Sequence, residues 1–262
     1  MDLGLKEKCA LVMASSAGLG KAIATEFARE GANVMLFSPF LDELKSAQEE
    51  IYSITGLKPS FYCGDITNPE DIQALIEATV AQYGPIYALV NNTGGPPAGT
   101  FDNFDDIAWQ KAYELTLLSY IRTIRAVLPH MRASGGGRIV CSTSSSIKAV
   151  LDNLILSNTF RMGVVGLAKT LSQELGKDNI LINIIAPGRI GTARIDYLDK
   201  VRAEKAGKTV EEIQQAAFRN IPLGRYGTPE EYGKLAVFLC APSNTFITGQ
   251  SILVDGGMVK AF

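Results

Sequence analysis

Short apolar runs alternate with stretches of helical spacing along almost the whole chain, and that alternation limits the fold more than any other feature. Residues 9–13, 33–37, 60–63, 86–91, 138–141, 180–186 and 251–254 read as strands. They are apolar enough to be buried on both faces, which is the pattern of a parallel sheet. Between them, residues 18–30, 41–54, 104–131 and 158–175 carry helix-period hydrophobics. Further helices open at Asn68-Pro69-Glu70-Asp71, where Asn caps and Pro fits the first turn, and at Thr228-Pro229-Glu230-Glu231, a capping box. Strand–helix–strand alternation predicts an α/β fold: a doubly wound parallel sheet of about seven strands with helices on both faces. No repeat or low-complexity linker divides the chain, so residues 1–262 are expected to form one domain.

Residues 189–220 interrupt the rhythm after the sixth strand. They hold Arg194, Asp196, Asp199, Lys200, Arg202, Glu204 and Lys205, then Thr209-Val210-Glu211-Glu212-Ile213. An excursion from the carboxyl end of a strand lies over the ligand crevice of an open α/β sheet, so the segment is expected to be a substrate lid. The plainer reading is a solvated helical hairpin.

Composition excludes several classes. At 47% hydrophobic residues the chain is not disordered, and a net charge of −2 without a basic cluster argues against a nucleic-acid partner. Residues 180–187, among the longest apolar runs, are too short to span a bilayer, and the first residues are too charged for a signal peptide. The four cysteines form no C-x-x-C pair and three lie in or beside strands, the usage of a reduced core residue; a cytoplasmic protein is expected. With one histidine, His130, no transition-metal site is expected.

Ala14-Ser15-Ser16-Ala17-Gly18-Leu19-Gly20 lies between the first strand and the first helix. Glycines there let backbone approach a pyrophosphate aimed at a helix N-terminus, and Ser15 and Ser16 add hydroxyl donors. The context is that of a Rossmann-type dinucleotide turn. With Asn91-Asn92-Thr93-Gly94, Ala186-Pro187-Gly188 followed by Thr192, residues 224–231, and residues 247–250 and 254–257, the chain resembles the short-chain dehydrogenase/reductase family from end to end. It is most similar there to 3-oxoacyl-[acyl-carrier-protein] reductases. The glycine turn departs from the family's T-G-x-x-x-G-x-G at Met13 and Ala14.

The resemblance implies a cofactor, NAD(P)(H), held by Ser15, Ser16, Gly18, Leu19, Gly20, Ser38, Asp65, Ile66, Asn91, Thr93, Gly94, Arg161, Pro187, Gly188, Ile190 and Thr192. Ser38 ends the second strand where an acid would mark NAD(H). Its absence leans to NADP(H), although neither Ala17 nor Pro39 supplies a base. The resemblance also implies a homotetramer or homodimer built through residues 104–131 and 158–175 and the last strand, and a small-molecule substrate.

The family's catalytic positions fall on Thr116, Ser144, Ser157 and Arg161, where the family carries Asn, Ser, Tyr and Lys. Only Ser144 is kept. A phenol beside an ammonium can protonate a developing alkoxide near neutral pH, whereas a serine hydroxyl is too weak an acid and too short. Arg161 can bind ribose hydroxyls or an anionic substrate but cannot shuttle a proton. Tyr197 or Tyr226 of the lid region would be an alternative source of phenol. Three readings stay open: an oxidoreductase of a divergent subgroup, an NAD(P)(H)-binding sensor without turnover, and different chemistry in the same pocket.

Overall fold

The computed structural model describes residues 2–261. Seven parallel strands, β1 (Cys9–Val12), β2 (Asn33–Ser38), β3 (Ser60–Cys63), β4 (Ile86–Asn91), β5 (Gly137–Ser142), β6 (Ile180–Pro187) and β7 (Ser251–Val254), form one sheet in the order β3-β2-β1-β4-β5-β6-β7. Successive residues alternate between faces. Cys9 and Leu11 point to one core, while Ala10 and Val12 point to the other. The first core is closed by α3 (Pro69–Tyr83), α5 (Ser119–Ala133) and α6 (Ile155–Glu174), through Leu75, Ile124, Val127 and Val164. The second is closed by α1 (Gly18–Arg29), α2 (Leu41–Thr55) and α9 (Pro229–Cys240), through Ile23, Phe27, Leu44 and Tyr232. Each large apolar side chain buried this way contributes about 1.5–3 kcal/mol. The strand order reverses between β1 and β4, which opens a crevice at the carboxyl ends of the strands.

Local chemistry sets the helix starts where the sequence placed them. Asn68 Oδ1 accepts from Glu70 N at 2.9 Å, and Thr228 and Glu231 complete a reciprocal capping box. The long helix expected over residues 104–131 is different. Residues 101–103 form a 3₁₀ turn, and α4 (Asp106–Tyr113) starts only after Asp105, whose carboxylate caps Ala108 N. A π turn then spans Glu114–Leu118 before α5. Such a turn inserts one residue into the helical repeat and is frequent at functional sites; Thr116 sits inside it.

Three cysteines are buried: Cys9 in β1, Cys141 in β5 and Cys240 in α9. Cys63, at the end of β3, is exposed, so the strand placement did not make it a core residue. Burial pushes the Cys9 and Cys141 thiols up to about 12 and Cys240 further still. Because the thiolate is the nucleophile, native protein at pH 8 is expected to give one fast thiol in a disulfide-exchange assay and four after denaturation. A second fast thiol in the native state would contradict this packing.

Candidate active site

The turn after β1 closes one end of the crevice. Gly20 lies so near the start of the turn that a Cβ there would meet Ala14 O at 2.1 Å. Gly18 adopts φ +55 and a Cβ on it would meet nothing within 4 Å. Ala14 itself has φ 47, a left-handed conformation that favours glycine, the residue the family carries there. Asn92 Nδ2 donates to Ala14 O at 3.3 Å and ties this turn to the segment after β4. On that segment Gly94 also faces open space, and Thr93 is buried.

The hydroxyls expected here divide. Ser15 is wholly buried; its Oγ donates to Val12 O (2.7 Å) and accepts from Phe37 N (3.0 Å), so it holds β1 to β2 and has nothing left for a phosphate. Ser16 Oγ shares a hydrogen bond with Ser38 Oγ and donates to Glu43 Oε2, each at 2.9 Å. Glu43, in the first turn of α2, therefore brings an acid to the end of β2, which the sequence reading did not count. Its signal was an acid within one turn of the strand's end. Asp65 is exposed and accepts from Thr67 N and Oγ1, while Ile66 is buried. Asn91 is wholly buried, with Oδ1 accepting from Thr123 Oγ1 at 2.6 Å and Nδ2 lacking a partner. Leu19 packs against the second core.

At the other end, Ser142 terminates β5. Its carbonyl accepts from Tyr120 OH at 2.7 Å and from Arg161 Nη1 at 3.3 Å, and its hydroxyl pairs with Tyr232 OH at 2.8 Å. Arg161 Nε donates to Ser157 Oγ, one turn earlier on α6, at 3.2 Å. Ser157 and Arg161 are each 6% exposed. The structure thus brings Ser157 and Arg161 together at the end of β5. Ser144 lies two residues beyond Ser142 and accepts from Ser146 N, opening a 3₁₀ turn (Ser145–Ile147). Thr116 does not join them: it is wholly buried, and its Oγ1 donates to Ala112 O at 2.5 Å, back into its own helix.

Sequence reasoning missed Tyr120 and Tyr232. Tyr120 lies four residues after Thr116, on the helix face turned to the sheet, and that spacing was its only signal. Both phenols are wholly buried, and burial pushes both well above the usual tyrosine range. Tyr120 is nonetheless the phenol that Arg161 reaches, through the shared Ser142 carbonyl.

Beyond β6, Gly188 would carry a Cβ 2.5 Å from that of Asp255, so glycine there serves the packing of the C-terminal segment. Pro187 ends the strand, and Ile190 is buried, its backbone bridging to Gly227. Thr192 stands before α7 (Ala193–Ala206) with no side-chain cap bond. Together, α7 and α8 (Val210–Phe218) account for most of residues 189–220. Asp199 of α7 is wholly buried. It accepts from Tyr226 OH at 2.7 Å and Arg189 Nη1 at 3.2 Å, with Arg202 Nη1 at 3.5 Å. Tyr226 is thereby committed to Asp199, and burial and that carboxylate push its phenol up. Tyr197 is exposed. Neither is hydrogen-bonded to Arg161 among the described residues. No cluster of three or more metal-ligating side chains occurs among the described residues, and no helix there is long and apolar enough to cross a membrane.

The family described as Enoyl-(Acyl carrier protein) reductase matches residues 13–259. The 7α-hydroxysteroid dehydrogenase of Escherichia coli K12 is 32% identical over 259 residues, 99% of this chain and 97% of the relative. The chain belongs to the short-chain dehydrogenase/reductase family. The 3-oxoacyl-[acyl-carrier-protein] reductase of Chlamydia muridarum is 33% identical over 260 residues, 98% of this chain and 100% of that protein. Among solved structures, the L-sorbose reductase of Gluconobacter frateurii complexed with NADPH and L-sorbose superposes with a TM-score of 0.95 at 33% identity, each chain covered completely. A 7α-hydroxysteroid dehydrogenase complexed with NADH and 7-oxo glycochenodeoxycholic acid gives a TM-score of 0.87 at 32% identity, covering 98% of this chain and 96% of that one. Fold class and family thus agree with the sequence reading.

Proposed function

We propose that this member of the family is an NAD(P)(H)-dependent oxidoreductase acting on a small carbonyl or alcohol substrate, with a non-standard catalytic site at Ser157 and Arg161. The observation that carries the reading is the glycine-lined cradle. Gly18 and Gly94 leave open the space where a Cβ would stand, and Asn91 Nδ2 is buried without a partner on the adjoining strand. Those features fit a dinucleotide, with the N-terminus of α1 toward its pyrophosphate. When bound, the nicotinamide supplies or accepts a hydride.

The chain's own residues orient the rest. Ser16 and Ser38 spend their hydroxyl protons on Glu43 and on each other, so at the end of β2 they can accept from ribose hydroxyls, while the Glu43 carboxylate opposes a 2′-phosphate without excluding it; both NADH and NADPH are expected to bind. Arg161 offers charged donors to oxygens beside Ser157, and Ser144 adds a hydroxyl. Residues 189–220 act as the lid, with Asp199 fixing α7 to Arg189 and Tyr226. Assembly of copies through α4, α5 and α6 fits the exposed Phe101, Ile107 and Met162 near them.

A second reading, a nucleotide sensor without turnover, is favoured by one feature. The phenol that shares an acceptor with Arg161, Tyr120, is shut away from the crevice and already bonded to Ser142 O. The two readings separate in one experiment. The purified protein is titrated with NADH and NADPH by nicotinamide fluorescence, then assayed for nucleotide oxidation with a panel of ketones, aldehydes and oxo acids. Binding followed by turnover is expected. Binding with no turnover across the panel selects the sensor, and no binding of either nucleotide overturns both.

A further inference from the structure

We propose that the substrate carries a carboxylate next to its carbonyl, as in a small 2-oxo acid, and that Arg161 is the residue that binds it. This rests on the oxidoreductase reading for the identity of the site and adds the substrate's chemistry.

The inference starts from an imbalance of charge and donors. Arg161 is 6% exposed. No carboxylate among the described residues lies within 4.0 Å of it. A guanidinium has five N–H donors, and here one reaches Ser157 Oγ and one Ser142 O. Among the described residues, neither donor on Nη2 has a hydrogen-bond acceptor.

The chain's other buried charges are treated differently. Asp199 has Arg189, Arg202 and Tyr226 around it. Arg138, 4% exposed, also has no carboxylate beside it, but it makes three hydrogen bonds, from Nε and Nη1 to the carbonyls of Asn244, Gly137 and Asn179, and lies over the Tyr87 ring. Arg161 has two neutral acceptors and no carboxylate, a costly state for a buried cation, and a ligand that enters the site can supply the missing acceptors and charge.

Ribose hydroxyls can take one or two of those donors, but they are neutral and leave the charge uncompensated. A carboxylate compensates it, and its two oxygens fit the planar fork. In a 2-oxo acid, one carboxylate oxygen and the adjacent carbonyl oxygen lie on the same edge, so the group that neutralises the charge also brings the carbonyl beside Ser157. Two further observations agree. Ser146 Oγ, 6% exposed and one 3₁₀ turn from Ser144, is a buried hydroxyl with no partner. Arg194, exposed on α7, extends over Gly95, where a Cβ would come 3.1 Å from its Nη2, so a second guanidinium stands where the lid meets the segment after β4.

The test is calorimetric titration of the full chain, with and without NADH, using 2-oxobutyrate and its neutral isostere pentane-2,3-dione as probes. Wild type is expected to bind the oxo acid at least about thirtyfold more tightly than the dione, and Arg161→Met and Arg161→Gln to lose that margin. Equal binding of the two probes by wild type overturns the proposal without any variant. So does undiminished oxo-acid binding by a variant whose melting shows it folded. Nucleotide binding is read in the same cell. Oxo-acid binding without nucleotide binding would leave the anion site standing and remove the oxidoreductase reading; nucleotide binding without oxo-acid binding would do the reverse.

Discussion

Replacing Gly20 by alanine is expected to lower the melting temperature by roughly 10 °C, whereas replacing Gly94 by alanine leaves stability unchanged and weakens nucleotide binding at least tenfold. The two glycines meet different surroundings. A Cβ on Gly20 would stand 2.1 Å from Ala14 O, 2.8 Å from Ala14 C and 2.9 Å from Ser15 Cα. These are backbone atoms of a turn already pinned by Ser15 between β1 and β2 and by Asn92, so no side chain can rotate away. Overpacking of that kind sits at the upper end of the usual range, about 3 kcal/mol, and each kcal/mol moves the midpoint of a domain this size by about 2–4 °C.

A Cβ on Gly94 meets no protein atom within 4 Å, and its backbone is not in the left-handed region. Folding gives no reason for that glycine, and a ligand lying against it gives one. Thermal melting and fluorescence titration of both variants check the pair. Full-strength NADH and NADPH binding by Gly94→Ala would remove the open cradle as an argument for the cofactor.

What was legible in the sequence, and what was not, follows from the range of the forces involved. Asn68 and Thr228 announce their helices because a cap is a bond between residues two or three apart. The inner strands are legible because burial on both faces demands continuous apolar runs, whereas the edge strands β3 and β7 are only partly buried. The π turn at Glu114–Leu118 is not, since nothing in its composition differs from α-helix. Hydroxyls misled for a related reason. Ser15 and Thr116 match functional positions by resemblance, yet each oxygen is taken up by the nearest backbone group, Val12 O and Ala112 O. Conversely, Tyr120, Tyr232 and Ser142 join across 22 and 90 residues of chain, a meeting that only the sheet arranges. Glu43 belongs to the same class, 27 residues from Ser16.

The second large effect concerns proton supply. Ser157→Tyr is expected to raise nucleotide-dependent reduction of carbonyl compounds by about 10²–10⁴-fold over wild type, the usual contribution of a positioned general acid. Each tenfold corresponds to 1.36 kcal/mol of barrier. Neither wild-type group beside the crevice has a proton to give near neutral pH: a serine hydroxyl is too weak an acid, and a guanidinium stays charged throughout the working range. The wild-type rate of reduction is therefore expected to be flat from about pH 6 to 9, where a histidine or a lowered phenol would titrate. His130, the one histidine, lies in the last turn of α5, which begins beyond the π turn and ends at the opposite edge of the strands.

A phenol at position 157 would stand one helical turn from Arg161, and the cation favours its ionised form. The reduction rate of the variant should then fall as pH rises through that phenol's pKa, because the protonated form is the donor. Adding Arg161→Lys completes the family's pair but removes the fork assigned to a substrate carboxylate, so the double variant should reduce neutral ketones well and lose ground on oxo acids. Steady-state rates across pH for wild type, single and double variants, each checked for nucleotide affinity, decide the matter. If Ser157→Tyr binds nucleotide as wild type does yet reduces no faster and with the same flat profile, proton supply does not limit this site, and a donor other than residue 157 must already be in place.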